Sequence, residues 1–281
     1  VIQLPNNVIK DYSIAPTMLC IDKAPKSKEQ EGIIMFNASF ATRGIGISNR
    51  LTRIDVDRVL FAVKNGNLPE FENIIRKIPY DKVDVSILMP KFYFLDRDTT
   101  SNRRLTDLVE YVPASKIASE GKHYSYSLTG NLATTFSDAK LSLERIDESS
   151  PSVKVPGRYY VCYNAEPCIF LILTGEEMHV AYSEVLDKDA FYRALSSVIC
   201  LKVKENIPID YVVALLFSKE IKEQLMAMVS GTIINNLDPH LLSKVIVPEH
   251  NKEQMSLFLE DALKASLTQR EKEMQNERKE Y

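Results

Sequence analysis

The stretch GRYYVCYNAEPCIFLILT, residues 157–174, contains two apolar runs separated by a polar break at Asn164–Pro167. Each run has the length of a strand and is rich in aromatic and β-branched residues, which fit a pleated, half-buried surface. The break contains Asn and Pro, both of which favour turns. The stretch therefore predicts two strands joined by a turn.

Toward the C-terminus, two segments have helical patterns. Residues 208–229 are amphipathic and enter through Pro208, which predicts one helix. Residues 251–281 contain no Gly and no Pro, which predicts a long helix. Such a helix cannot bury its apolar stripe alone, so we expect a partner helix in cis or in trans, unless the end of the segment is a solvated charged tail. The stripe consists of Met255, Leu259, Leu263, Leu267, Met274 and Tyr281.

Toward the N-terminus, short apolar runs alternate with polar breaks. The pattern predicts strands at 1–5, 14–21 and 32–39, a loop at 41–52, helices at 55–65 and 69–77, and extended chain interrupted by Pro90 at 83–95. The polar stretch 96–104 is the predicted domain boundary. Because the sequence starts within a strand and without Met, we expect a fragment of a longer protein.

The composition is that of an ordinary globular protein, with 281 residues, 45% of them apolar, and a formal charge of −3. No apolar run of about 18 residues is present, so no transmembrane helix is expected. The four Cys have no CxxC spacing, which favours buried thiols in a reducing cytoplasm. A near-neutral charge means that any nucleic-acid binding must depend on a local patch.

The sequence lacks the motifs that carry common chemistries. Gly44-Ile45-Gly46 is a lone GxG, and no Walker lysine loop, GxSxG or HExxH occurs. The four His lie far apart, which argues against a metal site. Glu220-Ile221-Lys222 spells a nuclease-like ExK but falls within the helix predicted at 208–229. We therefore expect this fragment to be non-catalytic, with no cofactor or metal of its own.

Cations, aromatic rings and hydroxyls alternate in two places. These are Lys122-His123-Tyr124-Ser125-Tyr126 and the region from Lys154 to Arg158-Tyr159-Tyr160. Such groups contact phosphates and base edges in protein–DNA complexes. The tyrosines also fit half-buried strand positions, which are common in any β domain, and the pattern leaves both interpretations open.

The segment VSGTIINNLDPHLLSKVIVPEHNKEQ, residues 229–254, resembles the end of a target recognition domain from the specificity subunits of type I restriction-modification systems. The family usually has a second Pro where this chain has Glu249-His250. The likeness extends over residues 105–281, including Leu105–Val109 and the Pro156-Gly157 turn. The matching positions are Ser230, Gly231, Thr232, Ile233, Leu237, Leu241, Ile246, Pro248, Glu253 and Gln254.

Residues 1–95 resemble a different protein, namely the end of the catalytic domain of adenine-N6 DNA methyltransferases of the type I modification subunit. VIQLPNNVI, SIAPTMLCIDK and GIIMFNAS are similar to its last strands. The Asn/Asp-Pro-Pro-Tyr/Phe tetrapeptide and the Gly-rich S-adenosylmethionine loop are not in this sequence. The resemblance implies that both lie upstream of Val1, where S-adenosylmethionine would bind.

The two resemblances together imply an α+β protein: a methyltransferase remnant (1–98), a mixed α/β target recognition domain (105–250) and a spacer or dimerisation helix (251–281). They imply a half-site reader of double-stranded DNA that directs adenine-N6 methylation or cleavage in a cytoplasmic restriction-modification system. A homodimer or a second specificity or methyltransferase subunit would pair through the helix. The candidate DNA contacts are Lys116, Lys122, His123, Tyr124, Tyr126, Arg158, Tyr159 and Thr232.

One alternative is a protein-interaction module that docks through the C-terminal helix and reads no DNA. Residues 161–190 favour it, because they contain six acidic side chains and a single basic one. A small catalytic domain is a further alternative, against which the missing nucleophile, base and metal motifs argue.

Overall fold

The computed structural model describes residues 1–4, 17–19, 32–38, 43–45, 48–50, 57, 60–61, 74–95, 100–114, 122–125, 132–141, 144–146, 160–174, 177–229 and 237–277. The chain divides into two units, Val1–Arg97 with Glu223–Leu237 and Asp98–Lys222 with Asp238–Tyr281. Several sheets and a C-terminal helix make the architecture α+β, as the sequence predicts. Among the described helices, none combines the length and the apolar character needed to cross a membrane.

The first unit contains a four-stranded sheet of order β2-β1-β3-β6 and a two-stranded hairpin, β4-β5. β1 runs parallel to β3, and the other neighbours in the four-stranded sheet are antiparallel. The described parts of the strands predicted at 1–5, 14–21 and 32–39 are confirmed. The strands are β1 (Ile2–Gln3), β2 (Thr17–Met18), β3 (Ile33–Asn37), β4 (Arg43–Ile45), β5 (Ser48–Arg50) and β6 (Ile75–Ile78).

The helix predicted at 69–77 is wrong over its described end, where the chain forms β6. Ile75 lies opposite Phe36 of β3, and both side chains are buried in the small core of this sheet. Gly32 precedes β3 with a φ of +147°, and a Cβ there would come within 2.5 Å of the Ile78 carbonyl oxygen. Pairing across the sheet therefore outweighs the helical spacing of the local sequence.

Two further expectations in this unit need correction. The loop predicted at 41–52 contains the β4–β5 hairpin, in which Arg43 lies opposite Arg50. The extended chain predicted at 83–95 contains a short helix, α1 (Pro90–Tyr93), because Pro at the first helical position has the φ that a helix needs. Residues 57, 60 and 61, the described part of the helix predicted at 55–65, are helical.

The second unit contains two four-stranded sheets, of order β10-β13-β8-β9 and β12-β11-β14-β7. The two strands predicted at 157–174 are confirmed as β10 and β11, which belong to different sheets. The strands are β7 (Val109–Val112), β8 (Lys122–Ser125), β9 (Glu144–Ile146), β10 (Tyr160–Ala165), β11 (Cys168–Thr174), β12 (Glu177–Ser183), β13 (Asp187–Leu195) and β14 (Ile199–Val203). The helices that follow in the chain are α2 (Ile209–Phe217), α3 (Lys219–Met228), of which the part from Glu223 onward belongs to the first unit, and α4 (Lys252–Glu277).

One hydrophobic cluster joins the two sheets of the second unit. Phe170 of β11 is fully buried between Tyr163 of β10 and Tyr192 of β13. Its ring lies edge-on to the Tyr192 ring, with centroids 5.2 Å apart, and tilted to the Tyr163 ring at 6.1 Å. β11 is buried along nearly its whole length, because α2 also packs against it. Side chains from both sheets therefore form one core.

The single helix predicted at 208–229 is wrong, because the helix breaks at Ser218. Ser218 has an extended backbone, with φ −63° and ψ 146°, between α2 and α3. Its Oγ accepts a 3.4 Å hydrogen bond from the Ile221 N–H. Ser competes with helical backbone hydrogen bonds through its own side chain, and here it starts a new helix.

The long helix predicted at 251–281 is confirmed over Lys252–Glu277. Asn251 and Gln254 cap its start reciprocally, because the side chain of each accepts the other's backbone N–H at 2.9 Å. Further along, Ser266 accepts the Ser137 N–H at 3.0 Å, and Arg270 pairs with Asp138 at 2.9 Å. The first part of α4 also packs on α2, so this helix contacts the rest of the second unit at two places along its length.

Candidate nucleic-acid interface

Three of the eight predicted DNA contacts lie on one strand. Lys122, His123 and Tyr124 belong to β8, which is an inner strand of its sheet, with β13 on one side and β9 on the other. β8 runs parallel to β13 and antiparallel to β9. The position of this strand therefore depends on chain segments about 20 and 65 residues away in sequence.

The register between β8 and β13 places Tyr124 and His123 opposite residues that differ in burial. Tyr124 lies opposite Tyr192, whose side chain is fully buried, and His123 lies opposite Phe191, whose side chain is half-buried. Successive side chains of β13 point to opposite faces of the sheet, so one face belongs to the core and the other carries Phe191 and Arg193.

Tyr192 fixes the core face of this sheet. Its hydroxyl lies 3.0 Å from the Ser183 Oγ and 3.0 Å from the Val185 carbonyl oxygen. The Ser183 Oγ in turn accepts the Val185 N–H at 3.1 Å. These contacts attach β13, and through it β8, to the turn that follows β12.

Phe191 and Arg193 are candidate contacts that the sequence reasoning missed. Both are half-buried and sit on the face of β13 opposite the buried Ala190, Tyr192 and Ala194. An aromatic ring and a guanidinium on one sheet face are a combination that nucleic-acid-binding proteins use for stacking and phosphate contact. The signal in the sequence was the strand-like segment 189–195, in which Phe191 and Arg193 alternate with Ala190, Tyr192 and Ala194.

The other five predicted contacts, Lys116, Tyr126, Arg158, Tyr159 and Thr232, lie outside the described residues. Their roles stay predictions, as do those of Lys122, His123 and Tyr124.

Acidic partners hold two of the basic side chains near the sheets. Lys140 is paired with Glu184, and the hydrogen bond to that carboxylate raises the pKa of Lys140. Lys202 forms a 2.6 Å ion pair with Glu166, which raises the pKa of Lys202 in the same way. These pairs reduce the positive field of the unit, so any DNA affinity must come from other cations.

Two of the cysteines, Cys168 and Cys200, are positioned as structural residues. Cys168 and Cys200 are free thiols buried in the cluster between the sheets, and burial raises the pKa of Cys168. A protonated, buried thiol is a poor nucleophile and metal ligand. Within the described part of the chain, no three His, Cys, Asp or Glu side chains are grouped to hold a metal ion.

The apolar stripe of α4 divides into two parts. Met255 and Leu259 are half-buried on the second unit, whereas Leu263, Leu267 and Met274 are exposed. These last three, called here the exposed stripe, lie within about 40° of one another around the helix axis. The predicted partner in cis is present for the first half of the helix.

Comparison of the chain with protein-family models and with curated proteins finds no match.

Proposed function

We propose that residues 105–250 are a target recognition domain that reads one half-site of double-stranded DNA, and that α4 is its spacer. The observation that carries this proposal is that the second unit continues directly into α4. The two-sheet core of the second unit, in which β8 is an inner strand of one sheet, leads into a capped helix of 26 residues. A helix of that length spans about 39 Å, which is close to one turn of the DNA duplex and suits a spacer between two readers.

The proposed separation into a methyltransferase domain and a recognition domain follows from the chemistry of methylation. An adenine must leave the base stack to be methylated, and in this proposal a separate domain reads the surrounding sequence in the duplex. In this proposal residues 1–98 are the end of that catalytic domain, and S-adenosylmethionine binds to residues upstream of this sequence. The recognition domain positions the methyltransferase on the DNA. The system operates in the cytoplasm, where its DNA is.

Selection from randomised duplexes tests the proposal directly. We expect enrichment of one short sequence, and binding that weakens steeply with salt because phosphate contacts release counterions. Lys122→Gln should weaken binding, whereas Lys264→Gln should not. Lys264 is the matched control, because it is an exposed lysine on α4 beside Glu260 and Asp261. Absence of enrichment at low salt would refute DNA reading.

The exposed stripe favours a second candidate function, in which α4 docks on another protein chain and no DNA is read. Leu263, Leu267 and Met274 present three apolar side chains on one exposed helix face. Apolar residues at such spacing are typical of helix–helix contacts.

Solution mass, measured by light scattering during gel filtration, tests this alternative. Leu267→Glu should lower the mass of an assembly that forms through the stripe. Leu257→Glu is the matched control, since Leu257 is also exposed, at 56% against 46% for Leu267, but lies about 80° to 120° around the helix from the stripe. If neither variant changes the mass, the helix is not a docking element.

A further inference from the structure

The chain segment that enters the second unit lies alongside the segment that leads into α4. Ser101 donates its hydroxyl to the Val247 carbonyl at 2.7 Å, and the Val247 N–H donates to the Arg103 carbonyl at 3.1 Å. The Leu105 N–H donates to the Val245 carbonyl at 2.9 Å, and Arg104 and Ile246 form an antiparallel bridge. These bonds bring residues that are about 145 positions apart in sequence to one place.

An open cavity of about 610 Å³ lies beside this pairing. It is lined by Asn102, Arg103, Glu249, His250, Asn251 and Gln254.

The Arg103 guanidinium is the main charged donor of the cavity. Its side chain is half-buried, and among the described residues it makes no hydrogen bond or ion pair. A guanidinium offers five N–H donors in a planar fork that matches the oxygens of a phosphate or carboxylate. A half-buried cation with unused donors is therefore available to a ligand.

His250 is held in place next to this guanidinium. Its Nδ1 lies 3.1 Å from the hydroxyl of the buried Tyr211, and its ring packs at 5.4 Å from the Phe258 ring. Burial, together with the charge of Arg103, lowers the pKa of His250, so the ring is neutral at pH 7. In the tautomer whose Nδ1 accepts the Tyr211 hydroxyl, the proton of the neutral ring is on Nε2, and the Nε2–H is a second donor.

The remaining lining groups have partners or oppose an anion. Asn251 and Gln254 use their side-chain oxygens in the reciprocal cap of α4, where each accepts the other's backbone N–H. Glu249 is the acid of the cavity, and its Oε1 accepts the Asn102 N–H at 3.3 Å. A negatively charged ligand would therefore gain from Arg103 and His250 and lose from Glu249.

We propose that this cavity is a binding site for a phosphate-type oxoanion, held by the Arg103 guanidinium with the His250 ring beside it. The oxoanion can come from a DNA backbone or from a free phosphate ester, because the recognised group is the same in both. The site does not require base reading, so it can exist even if the second unit has no sequence preference.

The experiment uses the whole chain and four variants. Arg103→Gln removes the donor fork, Glu249→Gln removes the opposing charge, and Lys264→Gln removes one exposed charge outside the cavity. Inorganic phosphate is titrated while the His250 ring resonances are followed by NMR. A duplex of mixed sequence is titrated by fluorescence anisotropy over a range of salt concentrations. Arg103→Lys keeps the charge but removes the planar fork, and circular dichroism of each variant checks that a loss of binding is not a loss of folding.

We expect Arg103→Gln to weaken phosphate binding about tenfold, which is the usual effect of losing a charge-assisted hydrogen bond. Glu249→Gln should tighten it, and Lys264→Gln should leave it unchanged. If the duplex supplies the phosphate, Arg103→Gln also lowers the slope of log K against log salt by about 1. If only phosphate binding changes, the ligand is a free phosphate ester.

The proposal is overturned if phosphate does not shift the His250 resonances, or if Arg103→Gln and Lys264→Gln behave alike with both probes. Failure of the proposal that residues 105–250 read DNA gives a different experimental result. In that case duplex selection shows no enrichment, whatever the phosphate titration shows.

Discussion

Replacement of Phe170 by Ala tests whether one aromatic cluster joins the two sheets of the second unit. Phe170 is 0% exposed and contacts rings from two strands of the facing sheet. Phe→Ala in such a core costs about 3–5 kcal/mol, which combines lost transfer free energy with the cavity left behind. The two ring pairs belong to that total, at about 0.5–1.5 kcal/mol each. A domain of this size is stable by about 5–15 kcal/mol, so the variant should lose a large part of its stability.

The measurement is urea denaturation followed by far-UV circular dichroism and tyrosine fluorescence, since the chain has 13 Tyr and no Trp. With a urea slope of about 2 kcal/mol per M, we expect the midpoint of the second unit to fall by about 1.5–2.5 M. Phe170→Leu should fall between wild type and Phe170→Ala. The control is Leu186→Ala, because Leu186 is 65% exposed and its truncation should cost less than about 0.5 kcal/mol. Equal midpoints for Phe170→Ala and Leu186→Ala would refute the shared core.

Of three further predictions, two concern side-chain hydrogen bonds and one concerns a titration. Asn251→Ala should cost about 1 kcal/mol by removing the cap of α4, measured as a lower unfolding midpoint, and no change would contradict the capping geometry. Tyr192→Phe should cost about 1–3 kcal/mol, because it leaves the Ser183 hydroxyl and the Val185 carbonyl without that partner; Tyr163→Phe, which loses one such bond, should cost less. The pKa of His250 is lowered from 6.5 by burial, so the unfolded state takes up its proton first. The free energy of unfolding should fall as the pH drops below about 6.5 and through the lowered pKa, and His250→Gln should flatten that part of the pH profile.

Local patterns were sufficient where secondary structure depended on nearby residues. The apolar runs on either side of Asn164–Pro167 became β10 and β11, and the segment without Gly or Pro after Asn251 became α4. In both cases turn chemistry or the absence of helix breakers decides the conformation, and those are properties of neighbouring residues.

The same patterns failed where distant chain segments decided the conformation. Residues 75–78 have helical spacing, yet they pair with β3 because Ile75 is buried opposite Phe36. Ser218 interrupts a continuous amphipathic pattern because its extended backbone and hydroxyl start a second helix. Spacing within a segment contains no information on these partners.

The candidate site residues also fall into two groups: those indicated by local sequence and those that depend on distant parts of the chain. The sequence pointed to Lys122, His123 and Tyr124 through their alternation of cations and aromatic rings. It missed Phe191 and Arg193, because their importance depends on β13 being the neighbour of β8. It also missed Arg103 and His250, since neither has a motif and 147 residues separate them.

The sequence by itself determined the two strands at 157–174 and the long C-terminal helix, because each depends on the conformational preferences of residues close together in the chain. The tertiary structure alone decided that β8 inserts beside β13, that two sheets share the Phe170 cluster, and that Arg103 lies next to His250 in a cavity. Those arrangements come from burial and hydrogen bonding between segments that are far apart in the chain. The free energy of such contacts depends on the whole fold and on no local pattern.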